Sequence, residues 1–214
     1  MSFLEFVEGP LFAVAAGIFL FGAFWRIVGI IRIGRKKDIA PPKASAAAGF
    51  VKGNLRHFLP RGIFAKRTAV HIIAGYGFHL GLFVLVFFGA FHVEFLNERI
   101  LGFAWPTLPR WGFILASEIA FAGLIVLWVR RISDPVMRLI STPDDHIGSW
   151  LTFIMMLSGC FALQESHEML RAMHMLIVDI WLIYFPFSRL MHAFTFVLSR
   201  GNSGATYGRK GMNL

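Results

Sequence analysis

Eight histidines occur in this 214-residue chain. Five of them, His71, His79, His92, His174 and His192, lie within long apolar runs or at their ends. An ionisable side chain at membrane depth is costly, so by default it is there for a function. Neutral imidazole is a strong axial ligand for haem iron, and that is the chemistry such a set could perform. For one histidine taken alone, the plainer reading is a ring hydrogen-bonded to a neighbouring helix or snorkelling to the interface. The spacing of the set argues otherwise. His174 and His192 are eighteen residues apart, or five turns, which predicts two rings on one helix face separated by ~27 Å along the axis. His92 and His79 offer partners at matching depths in another run. Two helices that each present a histidine at two depths can hold two stacked b-type haems. Haem bridging two spans also restores the polar satisfaction each imidazole lost on leaving water.

The geometry leaves one ligand open. His79 and His92 are thirteen residues apart, which is ~140° around an ideal helix. His71 and His92 are closer to one face, so His71 competes with His79 as the inner ligand. Helix tilt, a kink near Gly89, or haems rotated relative to each other would absorb the mismatch. Arg189, three residues before His192, suits a haem propionate through charge-assisted hydrogen bonds, or else it is an interfacial anchor. Glu118 and Asp179 also lie inside apolar runs. A carboxylate there is expensive as an ion, so each is neutral or paired, serving as a proton relay or as a structural partner. His167 falls outside the hydrocarbon and is a weaker ligand candidate, and His57 and His146 read as solvated residues of cytoplasmic loops.

The elements that must position these groups follow from composition. Hydrophobic residues make up 57% of the chain and charged residues 15%. Soluble domains average about 45–50% apolar and about 25% charged. The imbalance excludes a soluble enzyme, a disordered segment and a disulfide scaffold, and leaves an integral membrane protein. The single cysteine, Cys160, forms no intrachain disulfide and belongs to no zinc or iron–sulfur cluster motif. Five apolar runs are long enough to cross ~30 Å of hydrocarbon. They are Pro10–Trp25 extending to about Ile31, Thr68–Val93, Trp111–Val129, Ile147–Leu163 and Met173–Leu198. None alternates like a membrane β-strand, so the expected fold is an all-α bundle of five transmembrane helices. Glu5 and Glu8 precede the first run, which has no basic leader and therefore reads as a retained span.

Charge gives the expected orientation. The segment 26–67 holds eleven Lys and Arg, 130–146 holds three and the chain from Arg189 onward holds four, whereas the remaining connections hold only Arg99, Arg110 and Arg171. The positive-inside rule then puts the N-terminus outside and the C-terminus in the cytoplasm. The net charge of +9 is thereby spent on topology, with a modest pull on anionic membrane lipid, and no nucleic-acid partner is implied. The expected organisation is one membrane domain over 1–200 with a cytoplasmic loop at 32–67, followed by a cytoplasmic tail at 201–214. The loop contains Pro41, Pro42 and a Pro60-Arg61-Gly62 turn, with room for a short interfacial helix. The tail reads as flexible, or as ordered only by a partner.

At these residues the chain resembles the gamma subunit of respiratory nitrate reductase and its relatives, five-span di-haem cytochromes b that exchange electrons with the quinone pool. The closest match is His174, then Phe185-Pro186-Phe187-Ser188-Arg189-Leu190, then His192. Phe78-His79-Leu80-Gly81 matches the family's inner ligand. Arg130-Arg131, Pro135, Arg138, Thr142 and Asp144 or Asp145 resemble its connection between the third and fourth spans, and Leu11–Arg26 resembles its first span. The family's outer ligand on the second span falls about one turn before His92, where this chain has Gly89 and Ala90, so His92 stands as the substitute. Other relatives open this span with a histidine near His71.

The resemblance implies two haem b groups, ligated by His79, His92, His174 and His192. It implies menaquinone or ubiquinone as substrate and a place in the cytoplasmic (inner) membrane. The quinone region would include His92, Arg110 and the segment 94–109. Arg110 falls about where the family has a basic residue near the quinone; the other reading is that it caps its span at the interface. The chain is too short for a catalytic head, so iron–sulfur and catalytic subunits of an oxidoreductase complex would be its partners. The competing classes are a haem-free transporter or proton channel built on the intramembrane His, Glu and Asp residues, and a plain membrane anchor.

Overall fold

The computed structural model describes residues 1–34, 39–56, 58, 64–163 and 167–212. His57 and the Pro60-Arg61-Gly62 turn lie outside them. The described residues are helical, without strands, and fall into two compact units: Met1–Pro60 with Trp150–Leu214, and Arg61–Ser149. Four helices are long and apolar enough to cross a bilayer: Phe3–Ile33, Thr68–Phe88, Arg110–Ser133 and Glu168–Phe187. Large side chains such as Leu20, Phe21, Phe24, Trp25, Ile73 and Trp111 are exposed, as expected where the solvent is lipid.

In the first unit, α1 (Phe3–Phe6) starts with a capping box in which the Ser2 hydroxyl accepts from the Glu5 N–H and the Glu5 carboxylate accepts from the Ser2 N–H. One π-helical turn, Val7–Leu11, takes in Pro10, whose missing N–H a regular turn would feel. It leads into α2 (Phe12–Ile33), which stops at Gly34 with φ of 64°. The segment 39–56 carries α3 (Ala46–Arg56), the short helix for which the loop had room.

The second unit starts with α4 (Phe64–Phe88). The expected run Thr68–Val93 is interrupted at Gly89, where ψ is 131°, and resumes as α5 (Ala90–Leu96). A π turn, Asn97–Leu101, and an irregular return follow. The Leu108 N–H donates to the Phe88 carbonyl at 2.8 Å and the Trp105 indole N–H donates to that of Phe87, satisfying acceptors the break exposes. The third run is α6 (Arg110–Ser133), antiparallel to α4. A Cβ at Gly81 would sit 2.8 Å from the Ala116 oxygen, and one at Gly123 would sit 2.6 Å from that of Ala74, so glycine is what lets these backbones meet. Asp134 caps α7 (Pro135–Ile140) by accepting from the Val136 and Met137 N–H groups, which hold its carboxyl below the usual carboxylate range. Arg131 pairs with Asp145 at 3.1 Å in the first turn of α8 (Pro143–Ala162).

The rest of α8 belongs to the first unit, with α9 (Glu168–Tyr184) and α10 (His192–Arg209). Helices α2 and α9 run parallel: Glu8 takes a hydrogen bond from the Arg171 Nε at one end, and Gly22 meets Pro186 further along. Helix α8 is antiparallel to α9, tied by Ser158 to His174 and by the Trp181 indole N–H donating to the Thr152 hydroxyl at 3.0 Å.

Two expectations are corrected here. The last run, Met173–Leu198, is not one helix. Pro186 has no N–H to donate, and 185–191 tighten into two 3-10 turns around an extended Ser188, whose hydroxyl accepts from the Leu190 N–H at 3.1 Å. The five-turn argument that set His174 and His192 on one helix face therefore fails. The tail is also not flexible as far as Arg209. It continues α10, which packs antiparallel on α3 through Gly201, Gly204 and Gly208 against Phe50, Gly53 and Gly49. In a tail expected to be flexible, these glycines are the means of close helix approach.

Candidate functional site

Each of the four histidines expected to ligate iron has its Nδ1 held by an oxygen. In the second unit, His79 Nδ1 lies 2.7 Å from the Gly75 carbonyl one turn earlier, and its half-buried ring meets the Phe78 ring edge-on. His92 Nδ1 lies 2.8 Å from the Leu85 carbonyl. In the first unit, His192 Nδ1 lies 2.8 Å from the Arg189 carbonyl. A carbonyl only accepts, so Nδ1 carries the proton in all three, and the in-ring lone pair sits on Nε2.

His174 reaches the same state by another route. Its Nδ1 lies 3.0 Å from the Ser158 hydroxyl. That hydroxyl also lies 2.8 Å from the Met155 carbonyl, which can take its proton and free the oxygen to accept from His174. Gly159 sits beneath this ring, where a Cβ would be 3.1 Å from Cε1. The sequence reading missed both Ser158 and Gly159, because a serine and a glycine in an apolar run carry no spacing signal of their own.

This is the arrangement of ligating imidazoles generally: the distal nitrogen is fixed by a carbonyl or hydroxyl, which sets tautomer and ring orientation and raises the basicity of the other nitrogen. The donor chemistry of the four residues fits bis-imidazole haem. His71 is different. It is exposed, and no hydrogen bond among the described residues holds its ring. Among the described residues no three His, Cys, Asp or Glu side chains converge, a grouping that a haem held by two imidazoles does not need.

The other candidates are placed as follows. Arg110 is the exposed first residue of α6, at the positive end of the helix dipole, so the helix itself gives a cation no stabilisation there. Arg189 is exposed at the start of the second 3-10 turn, and its carbonyl is the group that holds His192. Glu118 is exposed on α6. Asp179 is only 1% exposed, on the buried stripe Ala172–Met175–Asp179 of α9, and among the described residues neither of its oxygens has a hydrogen-bond partner. The Glu8–Arg171 pair, with Glu8 5% exposed, ties the π turn to α9 one turn before His174; sequence alone did not pair these residues. His146 lies in the first turn of α8 and His167 caps α9.

No known protein-family model matches the chain. A protein of Nitratidesulfovibrio vulgaris is 27% identical over 212 residues, covering 96% of this chain and 93% of that relative, and carries no functional name. The likeness runs nearly the length of both chains. It attaches no activity to either.

Proposed function

We propose that this chain is a five-span membrane cytochrome b subunit that exchanges electrons between the quinone pool and a partner redox subunit through two b-type haems. The observation that carries the reading is the common state of His79, His92, His174 and His192, each with Nδ1 bound to oxygen and the lone pair on Nε2. The pairing of second-span with fifth-span imidazoles follows the resemblance to the nitrate reductase gamma family. His79 is preferred to His71 as the inner ligand because its ring is held and half-buried.

Five crossings are favoured by direction. Successive spans alternate, and α2 runs parallel to α9, so an odd number of crossings must separate them. Thr68–Phe88 and Arg110–Ser133 supply two, and α8 supplies the third. Its first turn holds Asp144, Asp145 and His146, which lowers its apolar character without shortening it below span length. The Lys and Arg asymmetry favours an N-terminus outside the cytoplasm.

Haem iron supplies one-electron steps. The chain's own residues fix ligand geometry, hold the propionates and handle the protons that a quinol releases. Arg189, whose carbonyl holds the His192 ring, would take a propionate, and Arg110, at the start of α6, a quinone oxygen. The partners are iron–sulfur and catalytic chains, and the membrane is the cytoplasmic one. The test is a visible spectrum and haem assay of the purified chain. Two haems per chain with low-spin b-type bands, reduced by a menaquinol analogue, are expected; a colourless protein overturns the reading. In that event the unpartnered Asp179 favours the proton-conducting alternative.

A further inference from the structure

Arg26 stands in an unusual place. It lies seven residues before the end of α2, ~10 Å inside the helix terminus at ~1.5 Å per residue, and it pairs with no acid among the described residues. Its Nη1 donates to the Pro186 carbonyl at 3.0 Å. The break after α9 frees that carbonyl: the Leu190 N–H, which would bond it in a continuous helix, donates instead to the Ser188 hydroxyl. Gly22 lets α2 come this close, since a Cβ there would lie 2.6 Å from the Pro186 Cβ. The guanidinium is therefore anchored at one nitrogen, with its remaining donors in a fixed plane.

Beside it is a recess of about 740 Å³ between α2 and the end of α9, walled by Ile18, Phe21, Trp25, Ile183 and Phe187. Arg26 is the one charged side chain in this lining. Phe21 and Trp25 stack with ring centroids 6.1 Å apart and are about two-thirds exposed, so the recess opens sideways to whatever surrounds the helices. Its size is that of a ligand site (~300–1,000 Å³).

We propose that this recess binds one anionic phospholipid, with acyl chain along the aromatic and aliphatic wall and phosphate on the Arg26 guanidinium. Charge complementarity selects the occupant. An arginine near the end of a span, paired with no acid among the described residues, favours an anion, and guanidinium matches phosphate oxygens in a planar, two-pronged geometry that ammonium cannot reproduce. A quinone tail would suit the wall equally well, but its neutral head would leave the arginine uncompensated. The proposal uses only residues of α2 and the end of α9 and stands whether or not the chain carries haem.

The experiment is native mass spectrometry of the full chain released from nanodiscs containing equal phosphatidylglycerol and phosphatidylcholine. One retained phosphatidylglycerol per chain is expected. Arg26→Gln should cut the preference about tenfold and Arg26→Lys less, because the two-pronged geometry is lost before the charge. Ile18→Trp, which fills the recess and leaves Arg26 untouched, should abolish retention of either lipid. Arg32→Gln, a control elsewhere on α2, should change nothing. Equal retention of both lipids by the unmodified chain, an unchanged preference in Arg26→Gln, or displacement by menaquinone would each overturn the proposal.

Discussion

His92 Nδ1 lies 2.8 Å from the carbonyl oxygen of Leu85, seven residues earlier in the chain. In an unbroken helix that separation is ~10.5 Å of rise, beyond the reach of an imidazole. The contact exists because the chain turns out of helix at Gly89 and restarts, folding the first turn of α5 back against the last turn of α4. The Leu85 oxygen then accepts twice, from the Gly89 N–H at 3.0 Å and from the His92 ring. The family that this chain resembles has its outer ligand about one turn before His92. The break draws the His92 ring back toward that level, which is what the proposed ligation by His92 needs.

Gly89 is thus the hinge that sets the position of the His92 ring. A Cβ there would lie 2.6 Å from the Leu85 oxygen and 3.2 Å from His92 Nδ1. Gly89→Val should push the ring off its acceptor and remove one of two haems while sparing the other. Haem-to-protein ratio by the pyridine haemochrome assay should fall from two to one. A ratio that stays at two would detach His92 from iron.

What the sequence made legible was set by length and polarity. The run Trp111–Val129 lies within α6 and needed only apolar length to be found. The kink near Gly89, raised only as one way to absorb a ~140° mismatch, is present as a complete break. The break at Pro186 was in plain view as Phe185-Pro186-Phe187, but it was read as a family motif and not as a missing donor. The order of the Gly201–Gly208 stretch is not legible in a C-terminal tail, because it depends on a neighbour that local pattern does not reveal: α3 is some 150 residues away in sequence and directly against it in space. Ser158 was invisible for the same reason.

Ser158 should prove a positioning residue for His174. Its hydroxyl is the acceptor proposed to keep the ring proton on Nδ1, and losing it removes that partner from a half-buried ring. It also makes the ligating nitrogen less basic, which disfavours the ferric state. Ser158→Ala should therefore raise the midpoint potential of the haem on His174, with haem content retained. Ser158→Thr should restore it. Redox titration followed at the b-type band reads the difference; identical potentials in all three proteins would reduce Ser158 to packing.

The choice between His71 and His79 comes down to which ring is held. His79→Ala should lose one haem, because its Nδ1 is fixed to Gly75 and its Nε2 is set as the donor. His71→Ala should keep both, since that ring is exposed and unanchored among the described residues. Haem stoichiometry of the two variants decides it, and the opposite pattern would make His71 the ligand.

Asp179 is costly where it stands: a carboxyl 1% exposed on α9, with both oxygens unpartnered among the described residues. A group kept at such expense with no structural bond to show for it points to a role in moving protons. Asp179→Leu replaces it with an apolar side chain of similar size and removes the desolvation penalty of about 1–3 kcal/mol, so thermal unfolding of the detergent-solubilised protein should shift upward. If the carboxyl relays protons from a quinol, the same variant should slow haem reduction by a menaquinol analogue while leaving reduction by dithionite unchanged, because the second reaction needs no proton path. A variant that is more stable and equally fast with both reductants would remove Asp179 from any relay.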